Sequence, residues 1–530
     1  MKQLQRYLLL QVLFSIPLFS QEISNVYLNQ ALNVSVESEQ MQLLDQLSLE
    51  TGIVFPINAR PITQREWYSY VFPLLAEKSI SISKNLREKL AAYKPNFRFR
   101  EKWYIESYGR IGFETVFREN QNLEYLTRYE ERTPLARISF QASRDTAFGF
   151  AVQLRLQNTW PVYLHTNYQT NLPRDIRDDL DYKIFHKAYF SYQTNKITFQ
   201  FGRDNLRWGT GERASTFLSN NAPYFDFIKF VLWFTKVKFS TAYVSLVDYE
   251  PAGGIRDPAK VALFDKPERN MILQRVEWNF LPQVSAGFSY MKIIFGRSPK
   301  LDDINPFIFQ HNLFKDYQNS LMSADVVWGV VPGVQLYGEI TSDDIRSSSD
   351  TRYDDVNAPT TIAYQAGVKG YTRGWKGVVE YVYLPPLMYN FLFKEGRAVD
   401  YDGSDYKGTP GRDVLTRALG HWLPVDSKNI YFSLEKELSY FLKVKSIIER
   451  RRKGERTISS PYPQTSLTIS GTPTGIVQQT DIAGIGGQYL SASFDLRSML
   501  YYYRIENYRN ITEQNKKGME LQASIGYRIF

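Results

Sequence analysis

The sequence predicts an all-β fold: a transmembrane antiparallel β-barrel of about 18 strands with a small N-terminal periplasmic three-helix unit. Three observations predict it. Apolar and polar residues alternate with period two after residue 101. Short turns alternate with long polar loops. Phe, Tyr and Trp supply 15% of the 530 residues, although the mean hydropathy is negative at −0.37. A barrel reconciles these by turning one strand face to lipid and the other to water.

Residues 1–20 read as a secretory signal. Lys2 and Arg6 make a positive start, residues 7–16 are rich in Leu, Val and Phe, Pro17 breaks the run, and Ser20 precedes Gln21. That run is too short to cross a bilayer as a helix, which needs about 20 apolar residues. The longest later stretch, 225–239, is interrupted by Asp226, Lys229, Lys236 and Lys238. Residues 21–100 read as a helical periplasmic plug. Within 37–51, Met41, Leu43, Leu44, Leu47 and Leu49 recur at near-helical spacing, with Gly52 as the stop. Within 65–77, Trp67, Val71, Leu74 and Leu75 share a side, and Pro73 is expected to kink or split the helix. A third helix starts at Ser83 and carries Leu86, Leu90 and Tyr93 as far as Pro95.

Residues 101–530 read as the outer-membrane barrel. Phe148, Phe150, Val152, Leu154 and Leu156 alternate with Gly149, Ala151, Gln153 and Arg155; Val284, Ala286, Phe288 and Tyr290 alternate with polar or small residues. The segment 519–529 does the same, ahead of a terminal Phe530. Such alternation marks half-buried antiparallel strands. Thr194-Asn195, Leu281-Pro282, Pro332-Gly333 and Arg373-Gly374 supply tight hairpin turns. Long polar loops fall at 159–182, 203–226, 250–268, 343–359, 394–427 and 454–486. Sixteen to eighteen segments fit, and eighteen is the number taken. A soluble β-sandwich array or propeller would also alternate. Three features oppose it: the lack of a 40–50-residue repeat, the Gln, Arg, Glu and Lys on the polar faces, and Tyr and Trp at strand ends. Those aromatics are Trp103, Tyr104, Trp160, Trp208, Trp375, Tyr381, Tyr383 and 501–503.

Composition removes several chemistries. With no cysteine there is no disulfide framework, Cys-ligated zinc, Fe–S cluster or thiol nucleophile. The net charge of +9 falls to +7 without Lys2 and Arg6, which gives no support to nucleic-acid binding. The four histidines, His165, His186, His311 and His421, show no metal-ligand spacing. The expectation is therefore no catalytic residue, no metal and no cofactor. Asp400, Asp402 and Asp405 around Gly403 look like a calcium loop but lack its bidentate Glu, so a solvated loop is the stronger reading. The basic run 449–453 suits a strand end facing lipopolysaccharide phosphates, or a solvated turn.

One segment is more specific. Residues 201–226 read FGRDNLRWGTGERASTFLSNNAPYFD. Gly202-Arg203, then Trp208-Gly209-Thr210-Gly211, then Leu218-Ser219-Asn220-Asn221-Ala222 resemble the capsule assembly Wzi family of outer-membrane proteins. Arg207 and Thr210 stand where the family often has a second Trp and a Pro. Ile304-Asn305-Pro306-Phe307, Tyr317-Gln318-Asn319, Leu336-Tyr337-Gly338-Glu339 with Asp343-Asp344, Ala363-Tyr364-Gln365-Ala366-Gly367 and Glu380-Tyr381 are similar to its divergent members. The resemblance implies an eighteen-stranded barrel with a periplasmic helical bundle, acting as a lectin that holds capsular polysaccharide at the cell surface.

The residues themselves are compatible with that. Sugars are held by aromatic faces and by amide or guanidinium groups that fork onto hydroxyls, and acidic sugars call for Arg or Lys. Arg203, Arg207, Trp208, Arg213, Asn220 and Asn221 offer this mixture and form the expected polysaccharide-binding set. The alternative for the same residues is that Gly209, Gly211 and the Asn pair build a tight inward loop and satisfy its backbone. The expected partners are polysaccharide and outer-membrane lipid or lipopolysaccharide, around a monomer. The rival functions are an outer-membrane pore or transport channel and, more remotely, a Ser-His esterase.

Overall fold

The computed structural model describes residues 29–93 (except 37 and 78), 103–121, 123, 132–159, 162, 168–181, 183–234, 236–247, 268–305, 318–344, 360–391, 397–402, 415–461 and 471–529. The signal segment, Trp160, His165, His311, residues 403–405 and Phe530 lie outside them.

The N-terminal unit forms three helices where the spacing places them. Helix α1 (Glu39–Thr51) is opened by the Ser38 hydroxyl, which accepts from the Met41 N–H, and closed by Gly52 at φ 72°. Both are the usual solutions for orphaned helix ends. Helix α2 (Gln64–Ala76) is capped by Thr63. It continues past Pro73 rather than splitting there, because Pro73 sits in the last turn and removes only one hydrogen bond. Helix α3 (Lys84–Ala92) is capped by Ser83. Leu44, Leu47, Trp67, Val71, Leu86 and Leu90 from all three are buried together.

Eighteen antiparallel strands close into a barrel. Trp103–Arg118 pairs with Lys516–Arg528, so no edge strand is left over. The predicted hairpin turns at 194–195, 281–282, 332–333 and 373–374 all join neighbouring strands. Period two becomes two faces. Phe113, Phe140, Phe288, Val326, Ile430 and Ile485 are exposed on the outside, while Gln153, Gln200, Arg275, Glu339 and Gln365 are buried inside. Trp103, Trp278, Trp328 and Trp375 are exposed near the short-turn ends of their strands, as an interfacial girdle requires. Several of the aromatics expected there point inward instead. Trp208 is buried inside the lumen, Tyr104 points inward against Leu32, and Tyr503 is buried on the inner face of its strand.

The N-terminal unit docks into the short-turn end. Its backbone accepts from Lys229, Lys238 and Asn279 of the inner wall at Pro61, Pro56 and Val54. Asn58 reaches Glu277 (2.7 Å) and Asp325 (3.3 Å), and Gly333 N–H meets the Leu49 carbonyl at 2.8 Å. Removing the α1 cap by Ser38→Ala should cost about 1 kcal/mol of local stability. Faster amide exchange in residues 39–43, with the barrel strands unchanged, is the expected result.

Candidate functional site

The loop 205–224 starts at the long-loop end of the strand Ile197–Asp204 and turns into the lumen. There Arg207-Trp208 pairs with Ala59-Arg60 of the N-terminal unit and Trp208 bridges to Leu218. Two glycines make this possible. Gly209 and Gly211 adopt φ of 107° and 116°, a region L side chains rarely enter. A Cβ at Gly209 would strike the Ser215 hydroxyl and the Glu339 carboxylate; one at Gly211 would strike the Ala214 carbonyl and Gln365.

Three glutamates of the inner wall hold the loop. Glu339 accepts from Thr210 N–H (2.7 Å), Ser215 Oγ (2.8 Å), Thr216 Oγ1 (2.7 Å) and Phe217 N–H (2.9 Å). Glu380 accepts from Glu212 N–H at 2.7 Å. Glu449 pairs with Arg213 at 2.9 Å, and that guanidinium lies over the rings of Trp422 (4.5 Å) and Tyr431 (4.6 Å). A second arginine, Arg451, also pairs with Glu449 (2.6 Å) and covers Trp422 at 4.8 Å. The loop sends one carboxylate the other way: Glu212 sits 2.9 Å from Lys369 and 2.7 Å from Lys376.

Burial alone would raise the Glu212 carboxyl, but Lys369 and Lys376 outweigh it and hold it well below the usual carboxylate range. A depressed folded-state pKa gives stability that is present above the unfolded value, about 4.3, and is lost only as pH falls through the folded one. The inward loop should therefore resist pepsin at pH values where ordinary carboxylates are already protonated. In Glu212→Gln the loop should be cut faster by trypsin at neutral pH, and its resistance to pepsin should lack this acid-dependent step.

The six expected polysaccharide contacts are distributed as follows. Arg203 is not in the loop. Its parity with Phe201 puts it on the outer face, paired with Asp226 at 2.7 Å and 4.0 Å above the Tyr224 ring. Trp208 is 0% exposed among Ala59, Leu206, Phe217 and Leu218, and its indole N–H has no hydrogen-bond partner among the described residues. Arg213 is engaged with Glu449 as described. Asn221 donates to the carbonyls of Ala418 (3.0 Å) and Gly420 (2.6 Å), Ser219 N–H to Leu419 (2.8 Å), and Asn220 is buried beside them. Arg207 donates to the Gly211 carbonyl and lines a cleft of about 50 Å³ with Asp45, Arg60, Glu212 and Lys369. That space takes a few waters, not a sugar. The Leu-Ser-Asn-Asn-Ala segment thus joins the inward loop to 418–423, with Tyr389 tying both: its hydroxyl donates to the Thr216 carbonyl (2.6 Å) and accepts from His421 N–H (3.0 Å).

Sequence reasoning gave Glu339, Glu380 and Glu449 no role in the site, although Glu380 and Glu449 are inward carboxylates on strands otherwise lined by uncharged or basic groups; Glu339 shares the inner face of its strand with Asp343. Among the described histidines, His421 accepts from Leu423 N–H through Nδ1, and His186 is buried 3.8 Å from Asp181. No group of three metal-ligating side chains occurs among the described residues, and Asp400 pairs with Arg417 at 3.0 Å.

A family model described as capsule assembly protein Wzi matches residues 117–522. No curated protein matches the chain. Among solved structures, Wzi of Escherichia coli, described as an outer membrane protein involved in group 1 capsule assembly and a carbohydrate-binding β-barrel, superposes with a TM-score of 0.58. It is 12% identical, with 94% of this chain and 99% of that one covered. The Pseudomonas aeruginosa OccD3 (OpdP) barrel is also similar, at a TM-score of 0.43 and 8% identity over 81% of this chain and 92% of that one.

Proposed function

From the premise that the chain belongs to the capsule assembly protein Wzi family, we propose that this outer-membrane barrel is a non-catalytic lectin that binds capsular or exopolysaccharide and holds it at the cell surface. One observation carries the reading. The barrel spends three buried glutamates on locking its own loop into the lumen, an arrangement suited to a fixed binding frame and wasteful in a wide diffusion pore. The short-turn end, with α1–α3 docked in it, faces the periplasm as a plug, and the long loops face outward. Arg207, Arg213, Trp208, Asn220 and Asn221 serve as the frame that shapes the surface, and Arg203 acts at the outer rim. A glycan screen of the refolded full-length protein tests the reading: selective binding of a capsule-type polymer supports it, and no binding to any polymer removes it.

Lipopolysaccharide is the proposed lipid partner. Lys428, Arg450, Arg452, Arg504 and Lys517 come from four other-than-consecutive stretches of sequence, and the register brings Lys428 opposite Arg452 and Arg504 opposite Lys517. Arg450 and Arg504 have 58% and 63% of their side chains exposed, on the lipid-facing parity and toward the long-loop ends of their strands. Cations at that height match the phosphates of an outer leaflet. In this reading the barrel acts as a monomer. Native mass spectrometry should give one chain with bound lipopolysaccharide, and Arg450→Glu with Arg504→Glu should strip the lipid.

A further inference from the structure

Three outward residues of the neighbouring strands Arg269–Leu281 and Val284–Phe295 break the pattern of an exposed, apolar outer face. Gln274, Tyr290 and Lys292 share the parity of Trp278 and Phe288, yet they are 2%, 0% and 1% exposed. The register sets Gln274 directly opposite Tyr290, with Lys292 two residues further on.

Their height makes this informative. Gln274 is seven residues from Leu281, and Lys292 eight from Val284, the short-turn ends of their strands. A strand tilted by about 40° climbs about 2.5 Å per residue, so both stand roughly 18–20 Å above those ends, inside an apolar band about 25 Å tall. Elsewhere on the barrel that level meets lipid. Ile430, seven residues from Glu437, is 52% exposed, and Ile362, ten residues from Thr372, is 39% exposed. A lysine facing lipid at such a depth is costly.

The chain itself covers these groups. Residues 297–305 leave the top of the second strand and fold back over its outer face. Asp303 lies 3.4 Å from Lys292 and 2.7 Å from Arg297, and Gln274 Nε2 donates to the Asn305 carbonyl at 3.1 Å. The Lys300 N–H donates to the Asp303 carboxylate at 2.9 Å, which opens the helical turn Leu301–Ile304. Asp303 is buried against the wall, but the other side of the turn is apolar and open: Leu301 is 89% exposed and Ile304 42%.

We infer that this ledge is inserted in the outer leaflet and that Leu301 and Ile304 bind its acyl chains. Two observations select lipid as the occupant. The ledge stands at the level where the rest of the outer wall meets lipid, and it borders Phe288 and Val326, each 43% exposed lower on the same wall. Its carboxylate is engaged with the wall while its apolar side faces away, the division that an interfacial segment needs. The contact holds this flank of the barrel at a fixed depth, away from the strands that carry Arg450 and Arg504.

The chain has no cysteine, so Leu301→Cys labelled with the environment-sensitive dye NBD reports the ledge alone in the full-length protein. The protein is folded into phosphatidylcholine vesicles, with heat-modifiability on a gel to confirm the barrel. Ile340→Cys on the lipid face and Thr512→Cys in the exposed loop between the last two strands are the references. The dye at position 301 should emit as far to the blue as at 340. It should be quenched by a lipid spin-labelled near the headgroup end of its acyl chains, and not by iodide in the water. Emission and iodide quenching equal to those at 512 would overturn the inference. So would a blue-shifted dye that neither quencher reaches, which would assign the patch to a second copy or another protein.

Discussion

Replacing Glu339 by Ala should free the inward loop. The carboxylate is 1% exposed and accepts four hydrogen bonds from the loop. Alanine leaves Thr210 and Phe217 N–H and two hydroxyls facing a void. Each buried orphan costs about 1–3 kcal/mol, so the sum exceeds what a loop of this size retains and the loop swings out of the lumen instead. The expected observation in planar bilayers is a silent wild type and a conducting Glu339→Ala barrel, with the loop newly open to protease at Arg213. Glu339→Gln is the graded control. Three of the donors converge on Oε1 and one on Oε2, so an amide oriented with its oxygen at the first keeps three bonds and loses one. Its conductance should lie between the two. A silent Glu339→Ala barrel would show that Glu380, Glu449 and packing hold the loop without Glu339.

The second large effect is at Trp208. Truncation to Ala empties the centre of a cluster that joins the loop to the N-terminal segment and to Leu218. Large aromatic deletions in such sites cost about 3–5 kcal/mol. Heat-modifiability on a gel, read against urea, should show the folded band lost at markedly lower denaturant. Trp208→Phe should lose only a small part of that, because the indole N–H it removes has no hydrogen-bond partner among the described residues. It should also leave glycan affinity unchanged, since the ring has no exposed face. A Trp208→Phe protein that folds but loses the glycan would return the ring to the binding surface.

Period two made the barrel legible. Each strand states its own two faces locally, and Asn, Gly or Pro at the turns sets the hairpins, so 194–195, 332–333 and 373–374 could be placed without any long-range information. The caps of α1–α3 are equally local. The loop is where local reading fell short. The mixture of Arg, Trp and Asn between 203 and 221 has the chemistry of a sugar site, yet its partners are Glu339, Gln365, Glu380, Ala418 and Glu449, more than a hundred residues away in sequence. What those side chains do depends on contacts that no window of sequence contains. Arg203 shows a finer failure: its motif neighbours turn inward, but strand parity carries it outside. The outer ledge is a further case. Gln274 and Lys292 stand as polar breaks on a lipid-facing parity, and only their contacts with Asn305 and Asp303 show what covers them.

The account's central claim is retention of polysaccharide at the cell surface. Its most direct test is to remove the protein from an encapsulated host and measure polymer in the cell-bound and medium fractions. The account predicts unchanged total polymer with most of it shifted from cells to medium, and return of the cell-bound fraction when the full-length chain is restored. Unchanged cell-bound polymer, or a fall in the total with the distribution preserved, would contradict it.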